Sequence, residues 1–147
     1  MKRNASAVWK GNGLEGKGTL SSANKFFNKT PYSFKSRFEN EDGKLGTNPE
    51  ELLAAAHAGC FNMQLSFMLV AAGFEPTELT TEAIVNIDHA EGGGFAIQDI
   101  TLDLTGKVKG ISNEQFAEIA INAKNACPIS KALKSVHIVL KVRLLAK

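Results

Sequence analysis

Several things are scarce in this 147-residue chain, and each scarcity narrows what it does. Two cysteines, far apart in the sequence, are too few for the disulfide framework of a small secreted domain. The N-terminus, MKRNASAVWKGNG, turns polar too early for a secretory signal, so a reducing, cytoplasmic setting is expected. The net charge is only +2 and no Lys/Arg cluster occurs, which gives no footprint for nucleic acid. Arginine is rare too: Arg3, Arg37 and Arg143, against 14 lysines. One long stretch lacks charge, but Asn62, Gln64 and Ser66 interrupt its second half, so no membrane span is expected. What remains, 44% hydrophobic and 22% charged residues, suits one globular domain over residues 1–147 with a sizeable core.

That uncharged stretch organises the rest. In Thr47 to Phe74, TNPEELLAAAHAGCFNMQLSFMLVAAGF, Asn48 is placed to cap a helix, and Pro49 suits its first turn. Glu50 and Glu51 complement the positive end of the dipole, and Gly73 marks the stop. Apolar residues fall on every side between Leu52 and Ala72, the pattern of a buried helix. Such a helix, ~39 Å long, is hard for a chain of this size to cover alone. A homodimer around paired central helices is therefore expected.

Upstream, Ala5–Trp9 and Gly18–Ser22 read as strands. The turn between them, Gly11 to Gly16, spells GxGxxG, but strand rather than helix follows it, so a hairpin is expected and not a dinucleotide site. Tyr32–Phe38 alternates like a third strand, and residues 40–46 form a polar turn. Downstream, Glu78–Asp88 and Phe95–Val108 are strands joined through Gly92-Gly93-Gly94 in an antiparallel hairpin. Ser112 and Gln115 form a capping box for a helix to about Ala126, with Phe116, Ile119, Ala120 and Ala123 on its apolar face. A helical turn over Ile129–Leu133 and a last strand, Ser135–Leu144, complete the chain. This order predicts an α+β fold with a mainly antiparallel six-stranded sheet.

Chemistry is concentrated in the central helix. His57 and Cys60 are its only candidates for acid–base or nucleophilic work. Cys60 lies too far from the helix start for the dipole to activate it, and apolar burial raises a thiol pKa. A reactive thiolate there needs a cation from elsewhere, and Arg37, between two aromatic residues near the helix entry, is the candidate. His57, three residues earlier on the same face, is either a proton acceptor or a hydrogen-bonded core residue. Cys127, before Pro128, gives an attacking and resolving pair with Cys60, or both are simply buried small side chains. Four zinc ligands with CxxC spacing are absent, as is a hydrolase elbow. The residues alone leave a thiol redox enzyme and an inert core both open.

Three segments together, PYSFKSRFE (Pro31–Glu39), TNPEELLAAAHAGCFNMQLS (Thr47–Ser66) and NACPISKAL (Asn125–Leu133), closely resemble the OsmC/Ohr family, its OsmC branch in particular. The resemblance implies an intertwined homodimer and a thiol peroxidase acting on organic hydroperoxides, without metal or cofactor. It implies Cys60 as the peroxidatic and Cys127 as the resolving cysteine, joined in a disulfide that a dithiol, of lipoyl type, reduces. Arg37 and Glu50 would set up the thiolate. The alternative is a redox-sensing or hydrophobic-ligand-binding dimer without turnover. Glu50 and Cys60 are ten positions apart on one helix, ~80° around and ~15 Å along it. Arg37 and Glu50 of one chain are therefore expected to serve Cys60 of the other.

Overall fold

The computed structural model describes residues 1–41 and 43–145. Asp42, inside the polar turn expected over residues 40–46, lies outside the described residues. The chain divides into two compact units, the first Met1–Leu52 and the second beginning at Leu53.

In the first unit, β1 (Ala5–Lys10), β2 (Lys17–Ser22) and β3 (Thr30–Ser33) form an antiparallel sheet in that order. The GxGxxG turn closes the β1–β2 hairpin. Asn12 Oδ1 accepts from the amides of Leu14 (3.0 Å) and Glu15 (2.8 Å), and Trp9 Nε1 donates to the Asn12 carbonyl at 3.2 Å. Gly16 is required by close approach: a Cβ there would lie 2.7 Å from Trp9 Nε1.

The strand expected over Tyr32–Phe38 is corrected. It stops at Ser33, and Phe34–Phe38 is a short helix, α1. Ser33 Oγ accepts from the Ser36 amide (3.1 Å), and Ser36 Oγ accepts from the Ser33 amide (2.9 Å), a reciprocal cap that ends the strand locally. Ser36 is buried and its hydroxyl also reaches the Thr47 carbonyl at 3.2 Å, tying α1 to the approach of the long helix.

That helix, α2 (Pro49–Ala71), starts in the first unit and continues into the second. Asn48 Oδ1 accepts from the Glu51 amide at 2.8 Å, the expected cap. At the far end Gly73 adopts φ 87°, while the Phe74 and Gly73 amides bond to the Leu69 (2.9 Å) and Val70 (3.0 Å) carbonyls. This paired closure needs a left-handed residue, which glycine supplies without strain.

In the second unit, β4 (Pro76–His89) and β5 (Phe95–Val108) form a long antiparallel hairpin. The chain then crosses through α3 (Asn113–Ala126) and α4 (Pro128–Ala132), and β6 (His137–Leu144) joins β5 in parallel. The expected single six-stranded sheet is thus corrected to two three-stranded sheets. Strand periodicity gives each strand its faces but not its partner, and among the described residues β1–β3 pair with one another and β4–β6 with one another.

Phe61, Leu65 and Leu69 of α2 pack with Leu102 and Leu104 of β5 and with Phe116, Ala120 and Ala123 of α3 in the core. Each large side chain fully buried there contributes roughly 1.5–3 kcal/mol. By length and composition alone α2, 23 residues with an 18-residue window of mean hydropathy 1.3, is long and apolar enough to cross a membrane. Here α2 is the core helix of a folded unit, and Asn62 bonds to the Leu79 carbonyl (3.2 Å) and the Thr81 hydroxyl (2.6 Å) of β4. Its apolar residues form two stripes. The one just named is buried, while Met63, Phe67 and Val70 stay 64, 68 and 53% exposed in the single chain.

Candidate functional site

The four site residues expected from sequence come together as two pairs, one in each unit. In the first unit, α1 presents Arg37 and the opening turn of α2 presents Glu50. Arg37 Nε donates to Glu50 Oε2 at 3.1 Å and Nη2 to Oε1 at 2.6 Å, a two-pronged ion pair. The side chains are 35 and 13% exposed. The guanidinium also lies 4.7 Å from the centre of the Phe38 ring, which packs against Phe34 one turn away in a tilted arrangement at 4.9 Å. The planar fork is thus held from two directions, by a carboxylate that matches it and by the face of an aromatic ring.

In the second unit the two cysteines are free thiols. Cys60 lies on α2, half-buried, and Cys127 caps α4 and is fully buried. The Cys127 thiol donates to the Cys60 sulphur at 3.3 Å. Burial pushes the Cys60 thiol above its ordinary value, and the neighbouring Cys127 pushes the same way, while a hydrogen bond from the Ile129 amide pulls down and does not win. Left to its own unit, Cys60 is a thiol rather than a thiolate.

One turn before Cys60, His57 is fully buried and its Nε2 lies 2.8 Å from Ser130 Oγ, while Nδ1 has no hydrogen-bond partner among the described residues. Burial lowers its pKa, so the ring is neutral near pH 7. Among the described residues no group of three or more His, Cys, Asp or Glu side chains is placed to hold a metal ion. The arrangement offers thiol chemistry: two sulphurs 3.3 Å apart and, separately, an oriented cation of the kind that stabilises anions.

The profile of the family described as OsmC-like protein matches residues 41–142. The chain belongs to the OsmC family. Peroxiredoxin OsmC of Escherichia coli (strain K12) is 46% identical over 135 residues, 92% of each chain. Organic hydroperoxide resistance protein OhrB of Bacillus subtilis (strain 168) is 30% identical over 95 residues, 64% of this chain and 67% of its own. The OsmC-like architecture is shared with the crystal structure of that OhrB, at TM-score 0.69 and 26% identity, covering 97% of this chain and 98% of the other. A hydroperoxide resistance protein from Elizabethkingia anophelis has the same fold at TM-score 0.75 and 24% identity, with 99% of both chains covered.

Two groups in this OsmC-family site escaped the sequence. The Ile129 amide cannot be seen in side-chain patterns at all. Ser130 carried one unread signal: it follows Cys127 by three positions, as Cys60 follows His57 by three, so each segment sets two polar groups one helical turn apart.

Proposed function

We propose that the protein is a homodimeric thiol peroxidase that reduces organic hydroperoxides, acting in the cytoplasm as one OsmC-like domain over its 147 residues. The observation that carries this reading is the 3.3 Å approach of two free thiols, in a chain whose relatives bear the names peroxiredoxin and organic hydroperoxide resistance protein. The Cys60 thiolate attacks one peroxide oxygen and the O–O bond breaks. A proton completes the alcohol, and Cys60 is left as a sulfenic acid. Cys127 condenses with it to a disulfide and water, and an external dithiol, of lipoyl type, restores both thiols by exchange.

Arg37 supplies what the thiol pair lacks. Burial holds Cys60 protonated, so a guanidinium beside it stabilises the thiolate and polarises the O–O bond, while Glu50 fixes the fork. Ten positions along α2 separate Glu50 from Cys60, ~15 Å of rise, which favours the Arg37–Glu50 pair of one chain serving Cys60 of its partner. The exposed stripe of Met63, Phe67 and Val70 supports such a partner, since large apolar side chains at helical spacing gain by being covered.

Steady-state consumption of cumene hydroperoxide with dihydrolipoamide tests the reading. Turnover should exceed that with hydrogen peroxide, and Cys60→Ser should abolish it. Activity retained in that variant rejects the assignment. Oxidation of both thiols by one equivalent of hydroperoxide without subsequent turnover selects the redox-sensing alternative instead.

A further inference from the structure

One buried polar pair takes no part in the peroxide chemistry. His57 is fully buried, with Nε2 on Ser130 Oγ at 2.8 Å and Nδ1 unpartnered among the described residues. A buried imidazole with one nitrogen unsatisfied is less favourable than an apolar side chain of the same shape, so packing alone does not account for it. Its placement does. On α2, His57 and Cys60 are three positions apart; on the facing segment, Cys127 and Ser130 are three apart. The same two segments are therefore bridged twice, by the sulphurs at 3.3 Å and by the imidazole and hydroxyl at 2.8 Å.

The two bridges differ in stiffness. A thiol is a weak donor and a weak acceptor, whereas a hydrogen bond of 2.8 Å is short and directional. The segment that carries Cys127 needs such a tie. Helix α4 has five residues and no side-chain hydrogen bond at its N-cap, and a single turn of helix is not stable on its own. Joining the sulphurs demands a specific approach to ~2.05 Å with a narrow range of dihedral angle.

We propose that the His57–Ser130 hydrogen bond is a positioning clamp, which fixes the Cys127–Ser130 turn against α2 and so sets how readily Cys60 and Cys127 join. The inference rests on the reading that the two thiols form a disulfide in turnover. In that step the Cys60 S–O bond breaks and the S–S bond forms. The departing hydroxide takes the Cys127 proton as water, and the oxidising equivalent is the one the hydroperoxide delivered. The clamp exchanges no proton; it holds the nucleophilic sulphur in place.

Two measurements on the full chain test it. The first is the equilibrium of the Cys60–Cys127 disulfide against dithiothreitol, which needs no peroxidase activity. The second is the lifetime of the Cys60 sulfenic acid after one equivalent of hydroperoxide, read by trapping with a cyclic 1,3-dione. In Ser130→Ala and in His57→Phe, disulfide stability should fall about tenfold, a rise of ~30 mV in potential for a two-electron couple, with a comparably longer sulfenic acid lifetime. Ser130→Thr and His57→Gln keep a hydrogen-bonding group and should recover most of the loss. The double variant should be no worse than either single one, because both remove one bond.

Unchanged equilibrium and lifetime in Ser130→Ala overturn the clamp, as does a double variant whose loss is the product of the two singles. Should His57→Phe fail to fold, Ser130→Ala against Ser130→Thr decides alone. A shifted disulfide equilibrium in a protein that does not turn over hydroperoxide keeps the clamp and rejects the peroxidase. Normal turnover with an unmoved equilibrium does the reverse, and wild-type protein that forms no disulfide rejects both.

Discussion

The Arg37–Glu50 pair and the Cys60–Cys127 pair are built on opposite terms. The first joins two long charged side chains, one from a helix of only five residues, and leaves Arg37 35% exposed. The second joins two short side chains within a dense core, next to Phe61 and Ala123. Each region alone is incomplete for anion chemistry. The ion pair has charge but no nucleophile, whereas the thiols have a nucleophile whose surroundings hold it neutral. Solvent access keeps the permanent charges affordable, and dryness makes any charge brought to the thiol count for more.

If this contrast is right, the two regions should respond differently to mutation. The largest effect is on activity at the ion pair. Arg37→Lys keeps the charge but loses the fork, and kcat/KM for cumene hydroperoxide should fall by about 10²-fold or more. Urea unfolding of the same variant should move by less than ~1 kcal/mol, since a partly exposed ion pair contributes little stability. A loss of several kcal/mol there would make the pair structural and erase the comparison.

The core should behave the other way. Phe61→Ala removes a fully buried ring and should cost ~3–5 kcal/mol by urea unfolding. A loss under ~1 kcal/mol would mean that the region around the thiols is not the packed core described above.

The smallest effect is on the pH dependence of stability. His57 has a folded pKa below its ordinary 6.5 because of burial. Between the folded value and about 6.5 the unfolded chain binds the extra proton, so stability rises with pH in that window and is lost as pH falls through it. Above it, His57 contributes no slope. The difference in unfolding free energy between wild type and His57→Phe should therefore be flat from pH 8 to 7 and change below 6.5, against the wild type. A flat difference down to pH 5 would place the imidazole in contact with water.

What the sequence disclosed follows the reach of each signal. Asn48 and Gly73 bracket α2 because capping is decided within a few residues, and Gly92-Gly93-Gly94 marks the β4–β5 turn for the same reason. The segment Phe34–Phe38 misled because a spacing of four puts both rings on one face whether the chain is extended or helical. Only the Ser33–Ser36 cap separates the two outcomes, and two serines three apart are a weak signal. Division into two sheets was not legible, because alternation says which face a strand buries and nothing about its neighbour. Nor could residue patterns bring Cys60 to Cys127, or His57 to Ser130. Those approaches depend on the crossover from β5 to β6; the residues had left the cysteine pair open beside two inert buried thiols, and family resemblance favoured the pair.

The crossover has one more consequence. Cys60 and Cys127 are 67 residues apart in sequence, and everything between them, the β4–β5 hairpin and α3, lies inside the loop that their joining would close. In the chain-entropy account, a loop of that length restricts the unfolded chain by roughly 4 kcal/mol. Each catalytic cycle would then lend the protein a long covalent brace and take it away again. Hydroperoxide stress would leave the molecule in its sturdier form, and the reductant would return it to its softer one.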